Sequence, residues 1–197
     1  MHAVRRTRAP TRPDHGLSRS GASITWTAPT TREQRAYNRR MTKGPVRLDV
    51  AVNYAAPRAG VPAAASFRKW VAAALHNRIR EADLAIRIVD TDEGRALNRH
   101  YRGKDYATNV LSFPADLPEG LPAGVRMPLL GDLVLCAPVI ASEAAEQGKR
   151  TTAHYAHLTV HGVLHLLGWN HEDTRDAEAM EQLEREILAD LGIADPY

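Results

Sequence analysis

Residues 154–171 read His-Tyr-Ala-His-Leu-Thr-Val-His-Gly-Val-Leu-His-Leu-Leu-Gly-Trp-Asn-His, and this stretch holds five of the nine histidines in the 197-residue chain. Its first four histidines are spaced 3, 4 and 4 residues apart. On an α-helix, where successive residues turn by about 100°, this spacing puts four imidazoles on one stripe. The stretch therefore predicts a helix over about residues 151–167 with a histidine face.

Three of these histidines are predicted to share a metal ion. His161 and His165 lie one helical turn apart, so their imidazoles can converge on one ion. Gly168 is expected to end the helix, because glycine readily takes the positive φ of a C-cap, and the chain can then return His171 to the pair. A single helical histidine is usually a satisfied core or surface residue, but this pattern indicates an open three-ligand site. Three imidazoles favour zinc, nickel, copper or iron over magnesium or calcium, and we expect one Zn²⁺ per chain.

The same histidine spacing occurs in the metzincin peptidases, with one difference. Their pattern has a glutamate directly after the first histidine, and it serves as the general base for peptide hydrolysis. Gly162 stands at that position in this chain. Because glycine has no group that can take a proton, the sequence keeps the peptidase metal spacing but argues against peptide hydrolysis.

The chain resembles the YbeY family of bacterial endoribonucleases, which mature ribosomal RNA. The resemblance spans about residues 45–197 and is carried by the stretches 97–105 (Leu-Asn-Arg-His-Tyr-Arg-Gly-Lys-Asp), 108–114 (Thr-Asn-Val-Leu-Ser-Phe-Pro), 130–134 (Leu-Gly-Asp-Leu-Val) and 161–171. One departure is Asn170, where the family usually has Asp; an amide there can still hydrogen-bond. The resemblance implies a single-strand-specific metallo-endoribonuclease that acts in 16S rRNA 3′-end maturation and ribosome quality control. It also implies rRNA and ribosomal subunits as partners.

A second predicted site element is the basic cluster of Arg99, Arg102 and Lys104. Basic residues at a helix C-terminus commonly do no more than complement the helix dipole. Here Gly103 lets backbone come close to a ligand, and a guanidinium can bind phosphate through two parallel hydrogen bonds. The family resemblance implies that Arg102 is a key catalytic residue. We assign Arg99 and Lys104 to substrate binding.

His157 is the second candidate catalytic residue, because it lies one turn before His161 on the same stripe. It could move a proton during the reaction or support a ligand from behind, and it could equally be a packed helix histidine. Asp132 and Asn170 are weaker candidates for handling the proton. The strand over Thr108–Phe113 could be an ordinary sheet strand, but in zincin-like folds the edge strand beside the metal can line the substrate groove, and the family resemblance implies that role here.

Three classes of function stay open on the sequence. The leading one is a zinc-dependent endoribonuclease that hydrolyses RNA phosphodiesters. A metallopeptidase-like hydrolase is disfavoured by Gly162. A non-catalytic, zinc-containing ribosome-assembly factor would need a closed fourth ligand position, whereas the sequence offers three clear ligands.

Composition fits one soluble globular domain. The chain is 44% hydrophobic and 25% charged, which is ordinary for such proteins, and no stretch approaches the roughly 20 apolar residues of a membrane span. Cys136 is its single cysteine, which fits a reducing compartment, and we expect a cytoplasmic protein. Residues 1–40 hold nine arginines and two acids, and residues 41–197 hold 17 basic and 21 acidic residues. A net acidic folded part must bind RNA through a local basic cluster.

Residues 1–44 are predicted to be a disordered basic extension, because they are rich in Arg, Thr, Ser and Pro without an apolar period. Three explanations compete for this segment. It could be a basic arm that seeks RNA, an organelle transit peptide, or upstream sequence with Met41 as the natural start. The domain proper is therefore expected over residues 45–197.

The periodicity of that domain predicts an α+β fold. It indicates one mixed sheet of about four strands and about five helices, with the zincin-like metal helix packed against the sheet. Thr91 or Asp92 is expected to cap the second helix. The predicted strands are 46–54, 84–89, 108–113 and 129–136, and the predicted helices are 64–79, 92–101, 137–148, 151–167 and 175–191, with a loop over 115–128.

Overall fold

The structure is a computed structural model that describes residues 46–115, 128–169 and 174–197. In chain order the elements in these ranges are β1 (Arg47–Tyr54), α1 (Ala64–Leu75), β2 (Glu81–Val89), α2 (Thr91–Arg102), β3 (Val110–Pro114), β4 (Leu129–Cys136), α3 (Ala137–Glu146), α4 (Thr151–Leu166) and α5 (Thr174–Asp190). The extension predicted over residues 1–44, Asn170 and the predicted ligand His171 lie outside the described residues, as does most of the predicted loop over 115–128.

The four strands form one mixed sheet in the order β1-β2-β4-β3. β1 pairs with β2 and β2 pairs with β4 in parallel, whereas β3 runs antiparallel to β4. Parallel neighbours need a crossover connection, and α1 supplies it between β1 and β2. The predicted α+β architecture, with one mixed sheet and five helices in the described ranges, is confirmed.

Helices cover both faces of this sheet. Alternate residues of β4 show the division, because Leu133 and Leu135 face the main core, while Val134 and Cys136 face a smaller cluster. The main core also contains buried residues of α1, α4 and α5, and the smaller cluster packs against Leu97 of α2. The histidine helix α4 and the helix α2 that precedes the basic cluster therefore lie on opposite faces of the sheet.

Gly162 allows α4 to lie close to the sheet. A Cβ atom at this position would come within 2.8 Å of Leu133 Cδ2, 3.2 Å of Ser112 Oγ and 3.3 Å of Val110 Cγ2. The hydroxyl of Ser112 also donates a hydrogen bond of 3.2 Å to the Gly162 carbonyl. As predicted, β3 is thus an edge strand that lies beside the histidine helix, and this close packing gives a reason for glycine at position 162.

Several boundaries differ from the prediction. Helix α1 ends at Leu75, four residues early, and Asn77 takes a left-handed φ of 59°, which asparagine tolerates better than most residues. β2 begins at Glu81, before the apolar run, because it pairs there with Arg47 of β1. The prediction that Thr91 or Asp92 caps α2 is wrong.

The N-cap of α2 is Asp90, whose side chain accepts a hydrogen bond of 2.9 Å from the backbone N–H of Glu93. The helix then continues to Arg102 and ends at Gly103, which has the left-handed φ of 69° typical of a helix C-terminus. The basic cluster is therefore placed by a capped helix end.

Among the helices of the described ranges, none combines the length and the apolar character needed to cross a membrane.

Candidate metal centre

Four histidines form a stripe along α4, as the spacing predicted. The ring centroids of His154 and His157 are 6.2 Å apart, as are those of His157 and His161, and the rings of His161 and His165 are 4.5 Å apart. The stripe becomes more accessible along the helix: the His154 side chain is 5% exposed and the His161 side chain is 24% exposed. The accessible end of the stripe is thus the pair of His161 and His165.

The Nε2 atoms of this pair face each other at 3.0 Å. The Nδ1 atoms are engaged on the far sides of the rings. His161 Nδ1 lies 2.8 Å from Glu184 Oε1, and His165 Nδ1 lies 3.0 Å from the backbone oxygen of Trp169. Because a carboxylate and a carbonyl only accept hydrogen bonds, each Nδ1 carries the proton and donates. In the neutral imidazoles, Nε2 then carries the lone pair.

This donor arrangement fits a bound zinc ion. Two nitrogens that each lie about 2.0–2.1 Å from a tetrahedral zinc ion are about 3.3 Å apart. The observed separation of 3.0 Å between the Nε2 atoms of His161 and His165 is close to that value. The same contact can also hold a shared proton, as a hydrogen bond between the two rings. With that proton removed, both Nε2 atoms could act as converging metal ligands, and the predicted third ligand, His171, lies outside the described residues.

The end of α4 orients His165. Gly168 takes a left-handed φ of 87°, as predicted for a helix C-terminus. Its N–H donates to the carbonyl of His165 at 2.9 Å, and the N–H of Trp169 donates to the carbonyl of Leu164 at 3.0 Å. These two bonds form the Schellman arrangement and turn the Trp169 carbonyl towards the imidazole of His165.

Glu184 of α5 is a site residue that the sequence analysis missed. Its side chain is 1% exposed. Its Oε1 accepts from His161 Nδ1, and its Oε2 accepts from His157 Nε2 at 3.0 Å and from the Tyr197 hydroxyl at 2.5 Å. A sequence signal existed, because Glu184 lies four residues after the buried Met180 and three before the buried Ile187, on the inward face of an amphipathic helix.

Hydrogen bonding keeps this buried carboxylate ionised. Burial alone would raise the pKa of Glu184, because it disfavours the charged form. The hydrogen bonds from His157, His161 and Tyr197 outweigh burial and lower the pKa of Glu184 to about 2. Burial and the bond to this carboxylate raise the pKa of the Tyr197 hydroxyl. At neutral pH the cluster therefore consists of one carboxylate and three donors.

The ligand atoms of His157, His161 and Glu184 lie within 4.8 Å of one another, so this group could also hold an ion. An ion there would have to displace the protons that both imidazoles donate to the carboxylate. Such an ion would also lie against the Glu184 side chain, which is 1% exposed, so there would be little room for water or substrate. The Nε2 pair of His161 and His165 suits an ion with an open coordination position better.

The second candidate catalytic residue, His157, has both nitrogens directed into the protein. Its Nε2 donates to Glu184 at 3.0 Å, and its Nδ1 is buried without a hydrogen-bond partner among the described residues. The His157 side chain is 14% exposed. This environment matches the alternative in which His157 supports a ligand from behind.

The predicted basic cluster lies at the exposed C-terminal end of α2. Arg99, Arg102 and Lys104 are all exposed there. Arg95 forms two hydrogen bonds of 2.9 and 2.7 Å with Asp105, and Arg99 lies 3.8 Å from the same carboxylate. Asp105 thus contacts two of the nearby cations, and the exposed Arg102 and Lys104 add the local positive charge that the acidic domain was expected to need. The helices that carry the basic cluster and the imidazole pair lie on opposite faces of the sheet, and both helices contact β3.

Tyr101 connects the basic cluster to β3. Its ring packs edge-on against Phe113 of β3 with centroids 4.8 Å apart, and His100 packs edge-on against Tyr101 at 4.6 Å. Phe113 pairs with Asp132 of β4, which is exposed. The end of α2 is therefore fixed against the outer face of the same edge strand that touches α4.

A second, partly buried polar cluster fixes the beginning of β3. Glu143 of α3 lies 2.8 Å from His154 Nε2, and the amide of Asn109 donates to both Glu143 oxygens at 3.2 and 3.1 Å. The Asn109 side chain also accepts from the N–H of Val110 at 2.6 Å. The histidine stripe thus supports the edge strand at one end and presents the imidazole pair at the other.

Comparison with known proteins gives close relatives. The family model of Endoribonuclease YbeY matches residues 58–192. A protein named Endoribonuclease YbeY from Stenotrophomonas maltophilia (strain R551-3) is 82% identical over 157 residues, which cover 80% of this chain and 98% of that protein. A protein of the same name from Xanthomonas axonopodis pv. citri (strain 306) is 81% identical with the same coverage. The solution structure of TM1509 from Thermotoga maritima aligns with a TM-score of 0.49 at 19% identity, over 74% of this chain and 91% of that one.

Proposed function

Because the chain belongs to the YbeY family of endoribonucleases, we propose that it is a metal-dependent hydrolase that cleaves phosphodiester bonds within single-stranded RNA. We further propose ribosomal RNA as the substrate, with a role in 16S rRNA 3′-end maturation and ribosome quality control. Ribosomal subunits would be its partners and the cytoplasm its compartment. The relatives' names support the endoribonuclease activity, and the acidic folded part with a basic surface cluster is compatible with RNA binding.

The observation that carries the proposal is the facing Nε2 pair of His161 and His165. Their protonated Nδ1 atoms are fixed by Glu184 and by the Trp169 carbonyl, so both lone pairs are directed at one point. With His171 as the third ligand, three imidazoles would hold a Zn²⁺ ion. When bound, such an ion supplies a Lewis acid that stabilises negative charge on phosphoryl oxygen and makes water a nucleophile near neutral pH.

The chain's own contribution is to bind and orient the phosphate. Arg102 would offset the negative charge that builds on the phosphate in the transition state, and Arg99 and Lys104 would bind the neighbouring backbone. All three extend from the end of α2 that Tyr101 fixes to the edge strand β3. RNA lying along this edge would meet the imidazole pair on one side and the cations on the other.

The two other classes of function receive less support. A metallopeptidase would need a carboxylate beside the first ligand, but Gly162 packs against Leu133 and Ser112 at that point. The buried Glu184 cannot replace it, because three donors already occupy its oxygens. A structural metal in an assembly factor would be enclosed, whereas the His161 side chain is 24% exposed.

The test compares RNA and protein substrates. Zinc-loaded protein would be incubated with labelled single-stranded RNA, the matching duplex and casein, with a chelator control. We expect internal cleavage of the single strand and none of casein. Because a trace nuclease could imitate this result, the same preparation of His161→Ala is the deciding control and should be inactive. Cleavage that survives in His161→Ala would contradict the proposal, as would casein hydrolysis that disappears in this variant.

A further inference from the structure

The buried carboxylate of Glu184 has no role in the reaction as proposed, although it lies directly behind the imidazole pair. It is inside the core, on the face of α5 that carries Met180 and Ile187. Removing a carboxylate from water costs several kcal/mol, and an apolar side chain of similar size often serves the stability of a core equally well. A charge kept at this position therefore points to a task that an apolar residue could not perform.

The contacts of Glu184 identify that task. Its Oε1 lies 2.8 Å from His161 Nδ1, and an ionised carboxylate can only accept, so it selects the tautomer with the proton on Nδ1. The lone pair of His161 is then on Nε2, the atom that faces His165 Nε2 at 3.0 Å. Ligand imidazoles in proteins almost always donate their other ring N–H in this way, and the acceptor fixes both the ring and its basicity.

The remaining oxygen of Glu184 is held by two further donors. His157 Nε2 lies 3.0 Å from Oε2, and the Tyr197 hydroxyl lies 2.5 Å from the same atom. Tyr197 is itself supported, because Arg185 lies over its ring at 4.7 Å and Lys149 donates to the carbonyl of Pro196. The carboxylate therefore accepts hydrogen bonds from α4 and from the segment that follows α5.

We propose that Glu184 is the positioning residue of the metal centre, which holds His161 with Nε2 towards the ion, and that His157 and Tyr197 act through it by fixing its carboxylate. This inference rests on the proposed metal site. It gives His157 a positioning role in place of a proton-transfer role, since neither of its nitrogens is directed towards the Nε2 pair.

The test uses Glu184→Gln, which keeps the size of the side chain but replaces one acceptor oxygen by an amide donor. His161 and His157 donate to different oxygens of Glu184, so an amide in the same position could accept from only one of them and would turn its NH2 group towards the other. We expect zinc affinity, measured by competition with a chromophoric chelator, to fall 10- to 100-fold, the usual effect of removing such a partner. Glu178→Gln is the matched control, because Glu178 is an exposed glutamate on the same helix, and its affinity should equal that of the wild type.

A second readout separates positioning from a purely structural role. Long-range ¹H–¹⁵N spectra of the imidazoles report which ring nitrogen is protonated, and they can be recorded without metal. In the wild type, His161 should be protonated on Nδ1; in Glu184→Gln the two tautomers should mix. Tyr197→Phe keeps its exposed ring and should fold normally, with a smaller fall in zinc affinity.

The outcomes distinguish this inference from the proposed function. If the wild type binds zinc through His161 and cleaves RNA, but Glu184→Gln keeps both the affinity and the tautomer, the positioning role is overturned and the nuclease stands. If the wild type binds no zinc that depends on His161, the proposed metal site itself fails. A fall in affinity with an unchanged His161 tautomer would also overturn the positioning role, because it would show a general loss of structure.

Discussion

Replacing Gly131 by alanine should loosen the edge strand that the metal helix packs against. Gly131 lies in β4 opposite Pro114 of β3 and has a φ of 138°, a conformation that L-residues rarely adopt. A Cβ atom there would lie 2.2 Å from the backbone oxygen of Phe113 and 3.1 Å from the backbone nitrogen of Ala115, whereas ordinary contacts begin near 3.4 Å. Because the obstacle is backbone, the two strands must separate locally by about 1 Å.

The expected cost follows from two contributions. Holding a non-glycine residue in such a conformation costs about 1–3 kcal/mol. The separation would also break or lengthen one or two hydrogen bonds, such as the 3.2 Å bond from Ala115 N to Leu130 O. Each lost bond would lower the free energy of unfolding by about 0.5–1.5 kcal/mol. We expect Gly131→Ala to lower the free energy of unfolding by about 2–6 kcal/mol. At about 2–4 °C per kcal/mol for a chain of this size, the melting temperature should fall by about 4–24 °C.

Gly60→Ala is the matched control for this experiment. Gly60 also has a positive φ, of 74°, but a Cβ atom there would meet nothing within 4 Å. This variant therefore measures the backbone cost alone, about 1–2 kcal/mol. Both variants would be melted without metal and followed by circular dichroism and calorimetry. Equal shifts for the two variants would refute the argument, because they would show that the close approach of β3 and β4 contributes nothing.

Three further predictions concern the site and the core. Arg102→Ala should lower the rate of RNA cleavage by about 10²–10³-fold, since it removes transition-state charge stabilisation, while zinc content measured by elemental analysis stays unchanged. Zinc at about 100 times its dissociation constant should stabilise the wild type by about 2.7 kcal/mol in urea unfolding, and His165→Ala should lose this gain. Burial, with the neighbouring Cys136, raises the pKa of the Tyr155 hydroxyl to about 12. Stability should therefore be complete below pH ~10 and decline as the pH rises towards 12, and Tyr155→Phe should lack this decline.

Each of these has its own control or contrary result. Arg47→Ala removes an arginine of β1 from an exposed ion pair with Glu81 of β2, and this variant should cleave RNA normally. Equal losses in both arginine variants would indicate general electrostatic attraction. His76→Ala removes an exposed histidine after α1 and should keep the zinc stabilisation. For Tyr155, the difference in unfolding free energy between wild type and Tyr155→Phe should be constant from pH 7 to 9 and change above it; a flat difference to pH 12 contradicts the assignment.

The facing pair of His161 and His165 could be predicted from sequence because its geometry is local. Positions 161 and 165 face the same way on any α-helix, and Gly168 ends the helix through a conformation that glycine adopts easily. The fold class was predictable for a similar reason, since strand and helix periods are visible within short windows. Boundaries failed where a distant partner decides them, as at Glu81, which enters β2 because Arg47 pairs with it.

Glu184 shows what the sequence alone left open. It is 23 residues from His161, and only the packing of α5 against α4 brings its carboxylate to the far side of that imidazole. In the sequence, Glu184 is one of several acidic residues on a charged helix. Because an unpaired glutamate is rarely buried in a protein core, the sequence gives no reason to place its side chain inward. Likewise, Gly162 was interpreted as a missing base, until the structure placed β3 and β4 against it.

The sequence by itself determined that the imidazoles of His161 and His165 face the same way, because helical periodicity fixes the relative directions of side chains one turn apart. The tertiary structure alone decided which ring nitrogen carries the proton, which acid is buried and ionised, and on which side of the sheet the cations of α2 lie. These properties depend on contacts between segments far apart in the chain, and no local period encodes the partner, the distance or the dielectric surroundings of such a contact.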